Sequence, residues 1–361
     1  MEKLSIEEKI SLIKEVGEEI ITENELRELF KNKKNPVAYD GFEPSGKIHI
    51  AQGLLRSINV NKLTKTGIKF KFWVADWFGM LNNKMGGDLK KIKIVGKYFI
   101  EVWKACGMDL KNVEFIWTSD FIKETPEYWE TVLKISMNAT VQRVLRCGQI
   151  MGREDSISNP SSQILYPLMQ AADIHHLGAD IAQLGMDQRK VNMLARDVFP
   201  KLGFTAPIII SHHMLMGLTE PKTDKIGIEA AIDKKMSKSN PNSAIFMTDS
   251  EKEIINKFKR AYCPEGTSKN NPVLEYYKYI LFEKYDKILI ERPEKFGGNL
   301  EVDSYEQLEK KFIEKEIHPL DVKNTCAKYI NELLVPVRAH FKRNEKAKNL
   351  LEQVNSFQIA K

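Results

Sequence analysis

Two lysines three apart, Lys235 and Lys238, stand in the run Lys234-Lys235-Met236-Ser237-Lys238-Ser239-Asn240, with a small hydroxyl residue between them. Such a pair closes on a polyphosphate and neutralises the charge that develops as pyrophosphate leaves. The bland alternative is a solvated loop, which is what most charge runs are. A second segment, Pro44-Ser45-Gly46-Lys47-Ile48-His49-Ile50-Ala51-Gln52-Gly53, falls between a strand and a helix. Free N–H groups at a helix start attract phosphate, and a histidine there donates to a phosphate oxygen. Its bland alternative is a capped turn with an incidental histidine. In a third segment, Pro167 suits the first position of a helix, where its missing N–H is harmless. Gln170 and Asp173 then lie three apart on one face, with Tyr166 just before the helix. A glutamine and an aspartate on a face shared with core residues must find partners, or their burial is costly.

Other chemistry-bearing residues read more plainly. Cys106, Cys147, Cys263 and Cys326 share no metal-binding spacing and behave as small buried apolar groups in a reducing compartment. His175-His176 and His212-His213 are adjacent pairs, whose side chains do not face one metal, so packing or capping is expected of them. The lysine-rich stretch from Lys84 to Lys97 reads as a solvated face.

These groups need a scaffold. The first ~30 residues read as two short amphipathic helices, because Ser5-x-x-Glu8 and Thr22-x-x-Glu25 both fit the capping box. Val37 to Phe42 reads as a strand, followed by the turn Glu43-Pro44-Ser45-Gly46. Helical periodicity covers 51–66, and the apolar run from Phe70 to Trp77 reads as a buried strand. Helices are expected near 88–106 and 126–152, and strands at Ala179 to Leu184 and Thr205 to Ser211. Strand alternating with helix is the grammar of a doubly wound parallel sheet, whose ligand crevice lies at the strand-to-helix junctions. Beyond about 250 the pattern turns helical, over 251–262, 272–284, 304–316 and 320–342, with a loop from Glu291 to Asn299. The expected organisation is therefore N-terminal helices (1–30), a Rossmann-type α/β unit (31–250) and a mostly α-helical unit (251–361).

Composition sets the outer limits. With 361 residues, 42% hydrophobic and 29% charged, the chain has an ordinary globular balance and room for two or three domains. Collagen-like, coiled-coil and disordered classes are excluded. The net charge of +6 permits a polyanionic partner without demanding one. No apolar run reaches the ~18 residues of a membrane span, and the mixed-charge N-terminus does not read as a signal peptide.

Taken together, the motifs resemble the HIGH and KMSKS signatures of class I aminoacyl-tRNA synthetases. KMSKS matches letter for letter, and the HIGH-like word reads HIAQ. Tyr39 to His49 (YDGFEPSGKIH), Tyr166 to Asp173 (YPLMQAAD) and Gly185 to Lys190 (GMDQRK) resemble tyrosyl-tRNA synthetases of the archaeal and eukaryotic kind. So do Arg292 to Gly298 (RPEKFGG) and His318 to Asp321 (HPLD), so the resemblance spans roughly residues 22 to 342.

The resemblance implies a cytoplasmic tyrosine–tRNA ligase. Tyr39 and Asp173 would take the substrate phenol, whose O–H donates to Asp173 and whose oxygen accepts from the Tyr39 hydroxyl. Tyr166 and Gln170 would lie near the amino group, and Gln188 near the carboxylate and α-carbon. For ATP the resemblance implies Gly41, Ser45, His49, Gly185, Asp187, Met214, Leu215, Lys235, Met236, Ser237 and Lys238, with Mg²⁺ on the phosphates. His49, Gln52, Lys235 and Lys238 would act on the reacting phosphates. No general base is needed, because the substrate carboxylate is already a nucleophile. The fourth letter of the HIGH-like word is Gln52 and the third Ala51. A glutamine amide still donates to a phosphate oxygen but carries no charge, which leaves the role of Gln52 open. For tRNA, the resemblance implies Phe296, His318, Pro319 and Asp321 at the anticodon and Arg146, with Arg143 nearby, at the acceptor stem. It also implies a homodimer. Two rivals remain: a tryptophanyl-tRNA synthetase of the same fold, and a catalytically silent paralogue that only binds RNA or a protein.

Overall fold

Two capping boxes open the chain as expected. Ser5 caps α1 (Ile6–Lys14), and Thr22 caps α2 (Glu23–Asn32), each with the reciprocal bond from the glutamate three residues on. Between them lies an unexpected strand, β1 (Gly17–Ile21). Its sequence, GEEII, is too short and too polar to announce a strand. It becomes one by pairing with a distant edge. The computed structural model describes residues 4–148, 160–221, 233–234, 236 and 241–357.

The scaffold is a six-stranded sheet in the order β1-β6-β5-β2-β3-β4. Its strands β2 (Val37–Phe42), β3 (Lys69–Val74), β4 (Val113–Trp117), β5 (Ile181–Gly185) and β6 (Ile208–His212) run parallel, and β1 closes the β6 edge antiparallel. A strand buried on both faces reads as continuous apolar sequence, which made β2, β3, β5 and β6 legible. β4 (VEFIW) was not anticipated. The run expected as strand to Trp77 ends at Val74, because Asp76 turns the chain into α4 (Asp76–Leu81). Its buried carboxylate accepts from the Ser119 amide at 2.9 Å and the Ser119 hydroxyl at 2.6 Å, which ties the ends of β3 and β4 together.

The helices covering the sheet are α3 (Arg56–Lys65), α5 (Leu89–Ala105), α6 (Thr118–Glu124), α7 (Glu127–Met137), α8 (Val141–Gly148), α9 (Ser162–His176) and α10 (Arg189–Val198). The helix expected over 126–152 breaks at Asn138–Thr140 into α7 and α8, and its last residues lie outside the described ones. Pro167 does not start α9 but sits in its sixth position. The helix extends back to Ser162 and forgoes one backbone bond.

The chain then continues in helices: α11 (Glu251–Arg260), α12 (Pro272–Tyr276), α13 (Tyr305–Ile313), α14 (Pro319–Arg343) and α15 (Glu345–Phe357). The expected loop at Glu291 to Asn299 joins a small antiparallel hairpin, β7 (Ile288–Ile290) and β8 (Leu300–Val302). One apolar core runs from Ile10 through the sheet strands to Val354. It crosses between the α/β and helical regions where Tyr98 of α5 meets Phe341 of α14 at 5.4 Å. His340 and Glu101 pair at 2.9 Å beside that contact. A second core, holding Tyr39, Trp73, Tyr128, Leu168 and Ala172, lies under α9.

The chain leaves β2 toward β3 and β4 and later returns on the other side through β5 and β6. The carboxyl ends of β2 and β5 thus flank the topological switch point, where open α/β sheets bind ligands.

Candidate active site

A cavity of about 940 Å³ opens at that switch point. Tyr39 enters its floor from β2, and α9 presents Tyr166, Gln170 and Asp173 from one face. The spacing argument for Gln170 and Asp173 therefore holds despite the misplaced helix start. Asp173 is 1% exposed, and its Oδ1 accepts from the Tyr128 hydroxyl at 2.7 Å. Burial pushes the Asp173 carboxyl well above the usual carboxylate range, against the opposing influence of Tyr128 and the neighbouring Trp73 indole. The Tyr39 hydroxyl is buried without a hydrogen-bond partner of good geometry. Burial, together with the Asp173 charge, raises its pKa well above the ordinary value. A buried hydroxyl and a buried carboxyl lining one cavity are costly unless a ligand adds to their hydrogen bonds.

Gln170 Nε2 donates to Gln188 Oε1 at 3.0 Å, which joins α9 to the turn after β5. Tyr166 donates its hydroxyl to Glu43, and the same carboxylate accepts from Asn82 at 3.1 Å. Lys84 approaches Glu43 at 3.5 Å and lines the cavity, so the lysine-rich stretch begins as part of the site rather than as a solvated face. Tyr128, Trp73, Glu43 and Arg56 were not anticipated as site residues. Each is polar within an otherwise apolar or amphipathic pattern, but only the fold pairs them.

The same cavity is also lined by Gly41, Ser45, His49, Gln52, Gly185, Asp187, Met214, Leu215 and Met236. The HIAQ segment is clamped by backbone bonds, Ile50 N to Ile245 O at 2.8 Å and Met247 N to Ile48 O at 3.1 Å. It then makes one π-helical turn, Ala51–Leu55, before α3, a local geometry frequent at functional sites. The Gln52 carbonyl accepts from the Trp103 indole at 2.8 Å, and its side-chain Oε1 is buried without a partner. Gly185 leaves room for its neighbours: a Cβ there would lie 2.5 Å from Met214 Sδ and 2.7 Å from Asp187 Oδ1, so both side chains would have to shift. Also in the lining, Arg56 and Asp40 form a buried ion pair at 2.6 Å, and Arg56 also donates to the Gln183 carbonyl at 3.0 Å. Burial raises the Asp40 carboxyl to about 6 in spite of Arg56.

Lys235, Ser237 and Lys238 lie outside the described residues. Their neighbours are fixed against the cavity wall: Met236 N donates to Leu215 O at 3.1 Å, and Gly217 N to Lys234 O at 2.9 Å.

His49 and Gln52 of the HIAQ segment and Met236, far apart in the chain, thus line one cavity. A family model described as tRNA synthetases class I (W and Y) matches residues 31–335. The chain belongs to this family. It is 48% identical over 358 residues to the cytoplasmic tyrosine–tRNA ligase 1 of Arabidopsis thaliana, covering 99% of this chain and 90% of that one. The tyrosyl-tRNA synthetase of Pyrococcus horikoshii, solved with L-tyrosine, superposes with a TM-score of 0.89 at 38% identity, over 97% of this chain and 100% of that one. The Leishmania major enzyme, solved with tyrosinol, gives 0.89 at 43% identity over 99% of this chain, which spans 61% of its length.

Outside the cavity, family membership does not by itself gather the remaining residues. Arg146 is exposed, while Arg143 pairs with Asp197 at 2.8 Å. Phe296 is 62% exposed with Lys295 over its ring. Arg292 reaches from the same loop to the Glu316 carbonyl at 2.7 Å, and so holds it beside Ile317 and His318. His318 caps α14 by accepting from the Leu320 amide at 3.1 Å, with Pro319 and Asp321 in the first turn. The adjacent histidines turn to different partners. His175 stacks on Phe204, and His176 meets the Thr131 hydroxyl at 2.9 Å.

Proposed function

We propose that the chain is a tyrosine–tRNA ligase. The tyrosine carboxylate attacks the α-phosphorus of ATP, pyrophosphate leaves, and tyrosyl-adenylate forms. A ribose hydroxyl at the tRNA 3′ end then attacks the tyrosyl carbonyl, and AMP leaves. The observation that carries this reading is the buried Tyr39 hydroxyl and the buried Asp173 carboxyl lining the same cavity as His49, Asp187 and Met236. A phenol satisfies both, as donor to Asp173 and acceptor from Tyr39. Phenylalanine satisfies neither. An indole N–H only donates and leaves the Tyr39 proton unmatched, which disfavours tryptophan. A silent paralogue has no use for a substrate-shaped pair of this kind.

The remaining roles are assigned from the family resemblance, and the lining of the cavity is compatible with them. Gln170 and Gln188 are placed for the amino and carboxyl ends of tyrosine, with Tyr166 and Glu43 beside them. His49 and Gln52 face the phosphates, Gly185 and Asp187 the ribose, and Met214 and Leu215 the base. We assign pyrophosphate to Lys235 and Lys238. Catalysis is positioning plus charge stabilisation. Magnesium enters with the ATP phosphates. Among the described residues no group of three or more His, Cys, Asp or Glu stands ready to hold a metal. We assign the helical part, residues 251–361, to the anticodon, with Phe296, His318, Pro319 and Asp321 in contact, and Arg146 to the acceptor stem.

We infer a homodimer from one stripe of α7 and α8. Trp129, Leu133, Met137 and Val141 recur every four residues and are 39%, 64%, 84% and 61% exposed. Such an apolar stripe marks an interaction surface. Directly behind it α7 packs on α9, so a second copy would brace the tyrosine pocket. No described helix is long and apolar enough to cross a membrane, and we place the enzyme in the cytoplasm, like its Arabidopsis relative. Amino-acid-dependent ATP–pyrophosphate exchange tests the reading: exchange is expected with tyrosine and not with tryptophan or phenylalanine, and exchange with tryptophan or with none of them would overturn it.

A further inference from the structure

Among the contacts that the helical part of the chain makes with the wall of the cavity is the carboxylate of Glu275 of α12. Asn271 caps that helix, accepting from the amides of Val273 and Leu274 at 3.1 and 3.3 Å, and so fixes the first turn on which Glu275 stands. Glu275 Oε2 accepts from the Met216 amide at 2.9 Å and pairs with His213 Nε2 at 3.1 Å. The His213 ring stacks flat on Tyr279 at 4.1 Å, and its Nδ1 faces Glu18 of β1 at 3.4 Å. Met216 is the middle of the loop Met214 to Gly217. One side of that loop lines the cavity through Met214 and Leu215. Its other side carries the backbone bonds to Lys234 and Met236.

We propose that Glu275 is a positioning residue for the ATP half of the reaction. One carboxylate oxygen locks the Met216 amide and His213 together. The lock fixes where Met214 and Leu215 meet the nucleotide and where Lys234 and Met236 enter the phosphate end. Glu275 touches no substrate and acts through the loop alone. A charge-assisted bond shared by two donors is the strong kind, and a loop amide that loses it is left with nothing equivalent. The tyrosine end has its own supports in Tyr128 and Gln188, so the effect is confined to ATP. This rests on the ligase reading.

The test is steady-state pyrophosphate exchange on the full-length Glu275→Gln variant, with tyrosine binding measured separately by calorimetry without ATP. The amide keeps the shape but not the charge. We expect KM for ATP to rise about tenfold, tyrosine affinity to stay within about twofold, and Glu275→Asp to recover part of the loss. Equal losses for tyrosine and ATP, or no loss, would overturn the proposal. If Glu275→Gln does not fold, His213→Gln is scored in the same way, and failure of both to fold would make Glu275 structural and also overturn it. If the wild-type chain shows no tyrosine-dependent exchange, the ligase reading fails by itself, and Glu275 is then judged on ATP binding by calorimetry.

Discussion

Burial raises the Asp173 carboxyl well above the ordinary range even with the Tyr128 hydroxyl donating to it. A substrate phenol O–H favours the ionised form, so binding tyrosine releases a proton. The free enzyme then binds more protons than the complex, and tyrosine affinity should increase as pH rises through the range just above the normal aspartate pKa. A calorimetric pH series checks this; affinity falling with pH in that range would refute it. Tyr39→Phe removes the other partner and should raise KM for tyrosine up to about tenfold while narrowing the preference over phenylalanine. Exchange assays with both amino acids read the two effects. Gln170 and Asp173 were legible from their spacing of three on one helix face, whereas Tyr39 and Gln188 came only from the family resemblance. Tyr128 and Trp73 were not legible, because what makes them matter is a contact with Asp173 across 45 and 100 residues of chain.

At the level of elements, the apolar strands announced themselves and the edges did not. β1 owes its existence to pairing with β6, and its two glutamates look like helix surface when read alone. Pro167 misled for a related reason: a proline is tolerated inside a helix when packing on both sides outweighs one missing bond. The end of β6 carries the next prediction. Burial depresses the His213 imidazolium, but bonds to Glu18 and Glu275 outweigh it and raise the group to about 9. Lys278 and the neighbouring His212 also face this cluster. A raised histidine contributes fully below its ordinary value of 6.5 and loses its contribution as pH climbs through about 9. KM for ATP should therefore hold steady at neutral pH and rise above about 9, and His213→Gln should abolish that alkaline limb. Gly185→Ala tests the same end of the site by crowding. Its Cβ would displace Met214 and Asp187, so KM for ATP should rise by about tenfold or more with tyrosine affinity nearly unchanged.

Across the whole molecule, two surfaces govern behaviour. Leu133→Glu with Met137→Lys should break the proposed dimer, and sedimentation should then give the mass of one chain; an unchanged wild-type mass would locate the interface elsewhere. Inside, Phe341→Ala removes a ring that is 3% exposed and packs on Tyr98 across the two regions. A buried Phe→Ala change costs about 3–5 kcal/mol, and thermal denaturation should show it as a clear fall in Tm. The division near residue 250 was read from a change in pattern, from alternating strands and helices to helices alone. Pattern reports what each segment is, whereas the shared core depends on which faces meet.

That shared core has a consequence for how the molecule comes apart. An apolar interior running from Ile10 to Val354 leaves no seam at which one region could melt while the other stands. Heating should produce a single calorimetric peak, and limited proteolysis should find no cut that releases either region intact. A gene fragment encoding only the last hundred or so residues would carry half an interior and would aggregate rather than fold. The two regions are thus joined as one physical object through their shared interior.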